Sequence, residues 1–207
     1  PLSFTLMQGE AKVLRVGTEN DVPRLADILL GRTPPPSGLI LFRGRPLSVD
    51  DANRIGWVAA DGGLISGLTI WENVTLPLCY HRRDPPADME ERLAHWLGLV
   101  GIGEDARADF LSGWPTHLGP LERRQAGLAR GLLHGSPLLL VEGKLFADVP
   151  TALRRRWELA LASRLDHDRT HGLLVVAQAD VFLPWAAMGE EAGEEAGRER
   201  HVVEPTQ

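Results

Sequence analysis

The period of the apolar positions changes several times along the chain, and each change marks a predicted element. Leu2 to Met7 alternates apolar and polar, turns at Gln8-Gly-Glu and resumes as Lys12-Val-Leu-Arg-Val. This predicts a hairpin running into a buried strand. After Gly17-Thr-Glu-Asn-Asp the period becomes helical, with Leu25, Ile28 and Leu29 on one face, until Arg32-Thr-Pro-Pro-Pro-Ser-Gly ends the helix. Asp21 is the expected cap of that helix, with Pro23 in its first turn. Leu39 to Leu47 predicts a strand and turn and Arg54 to Ala59 a third strand, together an antiparallel patch beside the main sheet.

Past Asp61-Gly-Gly, Thr69 and Glu72 have the spacing of a capping box at the head of a helix. Asp88 to Val100 and Leu121 to Leu133 continue the helical period, so residues 66–134 form a helical lobe. Leu138-Leu-Leu-Val and Gly172-Leu-Leu-Val-Val-Ala are continuous apolar runs on either side of the arginine-rich helix Pro150 to Arg164. Apolar runs alternating with helices predict an α/β fold, a parallel sheet covered on both faces. The domain is expected to span 1–188. The repeated Glu-Glu-Ala-Gly of 189–207 predicts an acidic, mobile tail.

Composition narrows the class. The 207 residues are 43% hydrophobic and 24% charged with a net charge of −6, which fits a packed domain and argues against nucleic acid as a partner. The single cysteine, Cys79, excludes a disulfide framework and fits a reducing, cytoplasmic setting. No apolar run approaches the roughly 20 residues that cross a bilayer. The seven histidines are scattered and read as solvated loop residues; His167 and His171 alone have helical metal-ligand spacing, in an expected loop. Ser112 lacks the glycines of a nucleophile elbow, and Arg154-Arg-Arg reads as a solvated helix face.

Taken in order, these landmarks resemble the nucleotide-binding domain of ABC transporters, a P-loop NTPase-like parallel sheet with a small antiparallel patch and an inserted helical lobe. Gly31 to Gly44 is similar to the segment after the P-loop helix. Asp61-Gly-Gly-Leu-Ile-Ser-Gly-Leu-Thr-Ile-Trp-Glu-Asn-Val-Thr-Leu-Pro-Leu resembles the stretch after the Q-loop, above all in ATPases serving MCE-type lipid transporters. Gly127-Leu-Ala-Arg-Gly-Leu-Leu resembles the helix after the signature, and Leu138-Leu-Leu-Val-Glu the Walker B strand. Glu142 follows Leu118 by 24 residues, the family's spacing from signature start to Walker B acid, so Leu111-Ser-Gly is not the signature. The family's first strand, with its adenine-stacking aromatic, has no counterpart among the 16 residues ahead of Gly17.

That register puts unexpected residues at the chemical positions. A P-loop, G-x-x-x-x-G-K-S/T, holds phosphates with backbone amides and a lysine, and magnesium with a hydroxyl. Here Gly17 remains, while Asp21, Val22 and Pro23 stand for the second glycine, the lysine and the hydroxyl residue. Glu19 and Asp21 would each repel a triphosphate by about 1 to 4 kcal/mol at contact range. Ala60 falls at the Q-loop glutamine, and Leu118-Gly-Pro-Leu-Glu at the signature. Gly143 falls at the general base, Lys144 at the following proline, Val149 at the D-loop aspartate and Gln178 at the switch histidine. Loss of a general base alone costs about 10²–10⁴ in rate.

The resemblance therefore implies a pseudo-ATPase subunit with no catalytic residues and no metal site, and no cofactor is expected. If ATP and Mg²⁺ do bind, the residues carried over are Gly17, Arg24, Glu122 and Glu142, with Arg24 or Arg15 standing in for the lysine. Leu64, Ile65, Trp71 and Trp114 lie where the family meets its membrane permease. The expected assembly is a homodimer or a heterodimer with another ABC ATPase, peripheral on the inner face of the membrane, in lipid or organic solute transport. A working ATPase in an asymmetric dimer and a soluble regulator with a borrowed fold are the alternatives.

Overall fold

The computed structural model describes residues 3–18, 20–80, 87–167, 170–178 and 191–192. Strand β1 (Ala11–Val16) leads into helix α1 (Asp21–Leu29), followed by the short strands β2 (Leu41–Phe42) and β3 (Arg45–Pro46) and by β4 (Ile55–Val58). Helices α2 (Ile70–Tyr80), α3 (Met89–Val100), α4 (Arg107–Ser112) and α5 (Pro120–His134) come next. The chain then returns through β5 (Leu138–Glu142), α6 (Thr151–His167), β6 (Gly172–Gln178) and β7 (Glu191–Ala192). The main sheet has the order β4-β5-β6-β1-β7, and every pairing in it is parallel.

A sheet of this kind must bury both faces, which is why its strands read as continuous apolar runs. Successive residues serve opposite sides. Val13, Leu139, Val141, Leu173 and Val175 belong to one cluster with α2, α3, α5 and α6, whereas Leu14, Leu140, Leu174 and Val176 join Leu29 and Leu30 in another. Trp157 of α6 is wholly buried in the first cluster, and its Nε1 donates to the Val100 carbonyl at 3.0 Å. No helix among the described residues is long and apolar enough to cross a membrane.

Three expectations change. Residues 3–7 carry no strand, so the N-terminal hairpin is not formed; Phe4 and Leu6 pack on the second cluster instead. The Gly9 N–H donates to His171 and the Glu10 carbonyl accepts from Leu173, which docks the start of β1 on β6. The segment Arg54 to Ala59 belongs to the main sheet as β4, because buried Ile55 and Val58 pair with β5. The antiparallel patch is β2 and β3 alone, joined through Arg43 and Gly44 at φ 54° and 77°, the positive values that a tight two-residue hairpin turn requires. Inside the expected tail, Glu191–Ala192 pair with Val13 and Leu14 as an edge strand, and the rest of 189–207 lies outside the described residues.

Candidate functional site

The C-terminal ends of the parallel strands point their loops at one region, as they do in open α/β sheets that bind ligands. There a cleft of about 100 Å³ is lined by Val22 and Pro23 from α1, Ala60 after β4, Glu142 and Lys144 at the end of β5, and Val176, Ala177 and Gln178 of β6. In the register of the sequence analysis Val22 falls at the P-loop lysine, Pro23 at the hydroxyl residue, Ala60 at the Q-loop glutamine, Glu142 at the Walker B acid, Lys144 at the proline after the general base and Gln178 at the switch histidine. The fold brings all six to one place.

Glu142 lines this cleft from the end of β5. Its Oε2 accepts the Ala60 N–H at 2.7 Å. Burial raises its carboxyl above the ordinary glutamate value; the Ala60 bond opposes that shift, Asp61 adds to it and Lys144 counters it. Glu142 and the carboxamide of Gln178 are the oxygen-bearing side chains of the lining. At the head of α1, Val22 and Pro23 supply neither a lysine nor a hydroxyl, and Pro23 has no N–H to offer an anion. This donor set does not fit Mg-ATP as a P-loop holds it.

The expected cap of α1 takes a different form. Asp21 lies inside the first turn, so its carboxylate reaches backwards, accepting the Thr18 N–H at 3.0 Å and the Thr18 hydroxyl at 2.7 Å. Those two bonds hold its pKa below the ordinary aspartate value. The capping box at Thr69 forms as expected, with Thr69 N–H to Glu72 at 2.7 Å and Glu72 N–H to the Thr69 hydroxyl at 3.2 Å.

Of the four candidate nucleotide residues, the structure brings only Glu142 to the cleft. Gly17 and Arg24 are exposed and do not line it. Arg15 is held on β1, donating to the Gln178 carbonyl at 3.5 Å. Glu122 is engaged at the start of α5, where its Oε2 accepts the Gly119 N–H at 2.7 Å. Among the described residues no group of His, Cys, Asp and Glu could hold a metal ion.

The four candidate docking residues fall on neighbouring segments. Leu64 and Trp71 are partly buried against the main core, while Ile65 and Trp114 stand 48% and 42% exposed. The Ile70 N–H donates to the Gly113 carbonyl at 2.9 Å, which sets the start of α2 beside the segment bearing Trp114.

Sequence reasoning passed over Arg123, Arg124 and Asp61, which line a second cleft beside the first. The adjacent basic pair Arg123-Arg124 at the head of a helix was the available signal. Loop 61–63 is pressed against α5. The Arg130 guanidinium donates to the Gly62 and Gly63 carbonyls at 2.9 and 2.8 Å, and a Cβ on Gly127 would lie 2.4 Å from the Gly62 oxygen.

With a parallel sheet and a helical lobe inserted between β4 and β5, the chain matches the ATP-binding domain of ABC transporters in sequence and in fold. The chain is 31% identical over 182 residues to the methionine import ATP-binding protein MetN of Mesorhizobium japonicum, an alignment covering 84% of this chain and 47% of that protein. It thus spans about half the length of that curated relative. Among solved structures, dimeric MJ0796, a bacterial ABC transporter cassette, matches with a TM-score of 0.73 at 20% identity, over 91% of this chain and 82% of that one. The cbiO1 protein from Clostridium perfringens, part of the ABC transporter complex cbiONQ, matches with a TM-score of 0.66 at 16% identity, over 86% and 71%. These two likenesses show the fold. No protein-family profile matches the chain.

Proposed function

We propose that this chain is the cassette portion of an ABC transporter subunit that has given up productive ATP hydrolysis and serves by docking. It sits against a membrane permease of a lipid or organic solute transport system, beside another cassette. The observation that supports this reading is the cleft itself: Val22 and Pro23 line it at the head of α1 with neither a lysine nor a hydroxyl, and the one carboxylate of the lining already accepts the Ala60 N–H. Gly143 stands where the family keeps its general base. Losses of this kind do not add, but together they leave little catalysis. A transport role is supported by the similarity to a methionine import ATP-binding protein. Ile65 and Trp114, exposed beside the head of α2, supply the docking face.

The test is thermal unfolding of the purified chain with and without millimolar Mg-ATP. A ligand at 100 times its dissociation constant stabilises by about 2.7 kcal/mol. No change in the unfolding midpoint is expected. A rise of several degrees that requires Mg²⁺ overturns the reading.

A further inference from the structure

The loop after β4 reaches the docking residues Leu64 and Ile65 through two consecutive glycines, Gly62 and Gly63, at φ 92° and 56°. Glycine has little conformational preference of its own, so the surroundings must impose the direction in which this loop runs. Arg130 of α5 reaches across to it. Its Nη1 donates to the Gly63 carbonyl at 2.8 Å and its Nη2 to the Gly62 carbonyl at 2.9 Å, so one guanidinium fork spans two successive peptide units. Asp61 closes the turn from within by accepting the Gly63 N–H at 2.9 Å, and its charge acts favourably on Arg130. Leu64 is the single residue between Gly63 and Ile65, whose N–H and carbonyl are held from α2 by Asn73. The exposed Ile65 is thus carried on a short segment gripped at both ends by side chains of two different helices.

We propose, resting on the docking reading above, that Arg130 is a positioning residue for partner binding: its fork on Gly62 and Gly63 presets the course of Leu64 and Ile65, so that the permease meets a formed surface rather than a loop it must order. Close packing of Gly62 on α5 sets where the loop passes. The fork sets which way its carbonyls face. A planar pair of N–H donors fixes direction as well as distance, whereas a lysine ammonium is a point charge on a flexible stem. Ordering a loop on binding costs affinity, and holding it ready in the free chain removes that cost.

The experiment is amide hydrogen exchange in the whole chain, read beside retention of a membrane partner. The partner is defined as the protein of detergent-solubilised membranes that the parent holds and Ile65→Asp releases. In Arg130→Met, which keeps the stem and loses every donor, the Gly63 and Ile65 amides are expected to exchange about tenfold faster, the size of one lost hydrogen bond to a charged group. The amides of Leu140 in β5 and Leu174 in β6 keep the parent's rate, because the loop opens locally. Partner retention should weaken by a similar factor, and Arg130→Lys should recover part of both. Unchanged exchange at Ile65 overturns the proposal. So does an equal acceleration at Leu140 and Leu174, which would make Arg130 a contributor to global stability alone. Faster exchange at Ile65 with full retention overturns it too, since the partner would then not read the preset loop. A parent held no better than Ile65→Asp sinks the docking reading, and this proposal with it, whatever the exchange shows.

Discussion

The side chain of Asn73 brackets the backbone of Ile65: Oδ1 accepts the Ile65 N–H at 2.7 Å, and Nδ2 donates to the Ile65 carbonyl at 2.9 Å. The same Nδ2 lies 3.1 Å from the Leu68 carbonyl and 3.0 Å from that of Thr69. Asn73 is wholly buried, so the loop that carries Leu64 and Ile65 is shaped from inside helix α2. The Thr69–Glu72 box fixes the same corner from outside.

Replacing Asn73 should therefore damage this loop far more than an ordinary polar substitution would. Asn73→Ala strands buried amide and carbonyl groups and is expected to cost about 1–3 kcal/mol. Asn73→Asp keeps the size and the acceptor but sets a carboxylate against three carbonyls, and should cost at least as much. Urea unfolding of the two variants checks both. Full stability in Asn73→Ala would show that the loop holds its own shape.

The contact between loop 61–63 and α5 leaves no room for a methyl group. A Cβ at Gly127 would meet Gly62 backbone at 2.4 to 2.8 Å, and Gly62, at φ 92°, would place its own Cβ 2.1 Å from the Arg123 carbonyl. Backbone cannot step aside as a flexible side chain can. Gly127→Ala is expected to lose about 1–3 kcal/mol by overpacking, measured as a lowered denaturation midpoint. Gly62→Ala adds the strain of positive φ and should be the worse of the two.

Glu142 gives stability a pH dependence of definite sign. Its folded pKa is raised, first by burial, so between the unfolded and folded values the native state holds a proton that the unfolded chain has released. Stability from this group falls as pH rises through that window and is regained on acidification. Asp21 and Glu72 act the other way, because hydrogen bonds from Thr18 and Thr69 lower their pKa values, so their contribution is lost as pH falls. Glu142→Gln keeps an acceptor for the Ala60 N–H and removes the titration. The expected result is a gain in stability at neutral pH that vanishes under acid, read from unfolding midpoints across pH. A gain that is equal at acid and neutral pH would mean that Glu142 is ionised throughout.

How much of this was legible in the sequence depends on the range of the interaction. Thr69 and Glu72 are three residues apart, and their box formed as spacing predicts. The apolar runs at 138–141 and 173–177 carry the sheet in their own composition. The N-terminal alternation misled, since Phe4 and Leu6 obey the pattern of a strand yet only lay their side chains on the core. Asp21 showed the right residue type but reached back to Thr18. The cleft residues were named through a resemblance that fixes register; composition alone would have found none of them. The second cleft was legible only in the Arg123-Arg124 pair, because Lys144 joins that lining only after α5 and β5 have packed. No local signal records that pairing.

The docking face yields to a comparison of two tryptophans on adjoining segments. Trp114 is 42% exposed, whereas Trp71 packs partly against the main core from the first turn of α2. Trp114→Asp should leave the unfolding free energy within about 0.5 kcal/mol of the parent, as surface substitutions do. If Trp114 anchors a permease, the same change should weaken binding by about 2 kcal/mol or more, the loss seen when a central aromatic anchor is removed. Trp71→Ala should instead lower stability, because it removes a large side chain packed against the main core. Retention of the permease from detergent-solubilised membranes, measured alongside urea unfolding, separates the two effects. Equal retention by the parent and by Trp114→Asp would move the interface off this corner and leave the exposed indole without a docking role.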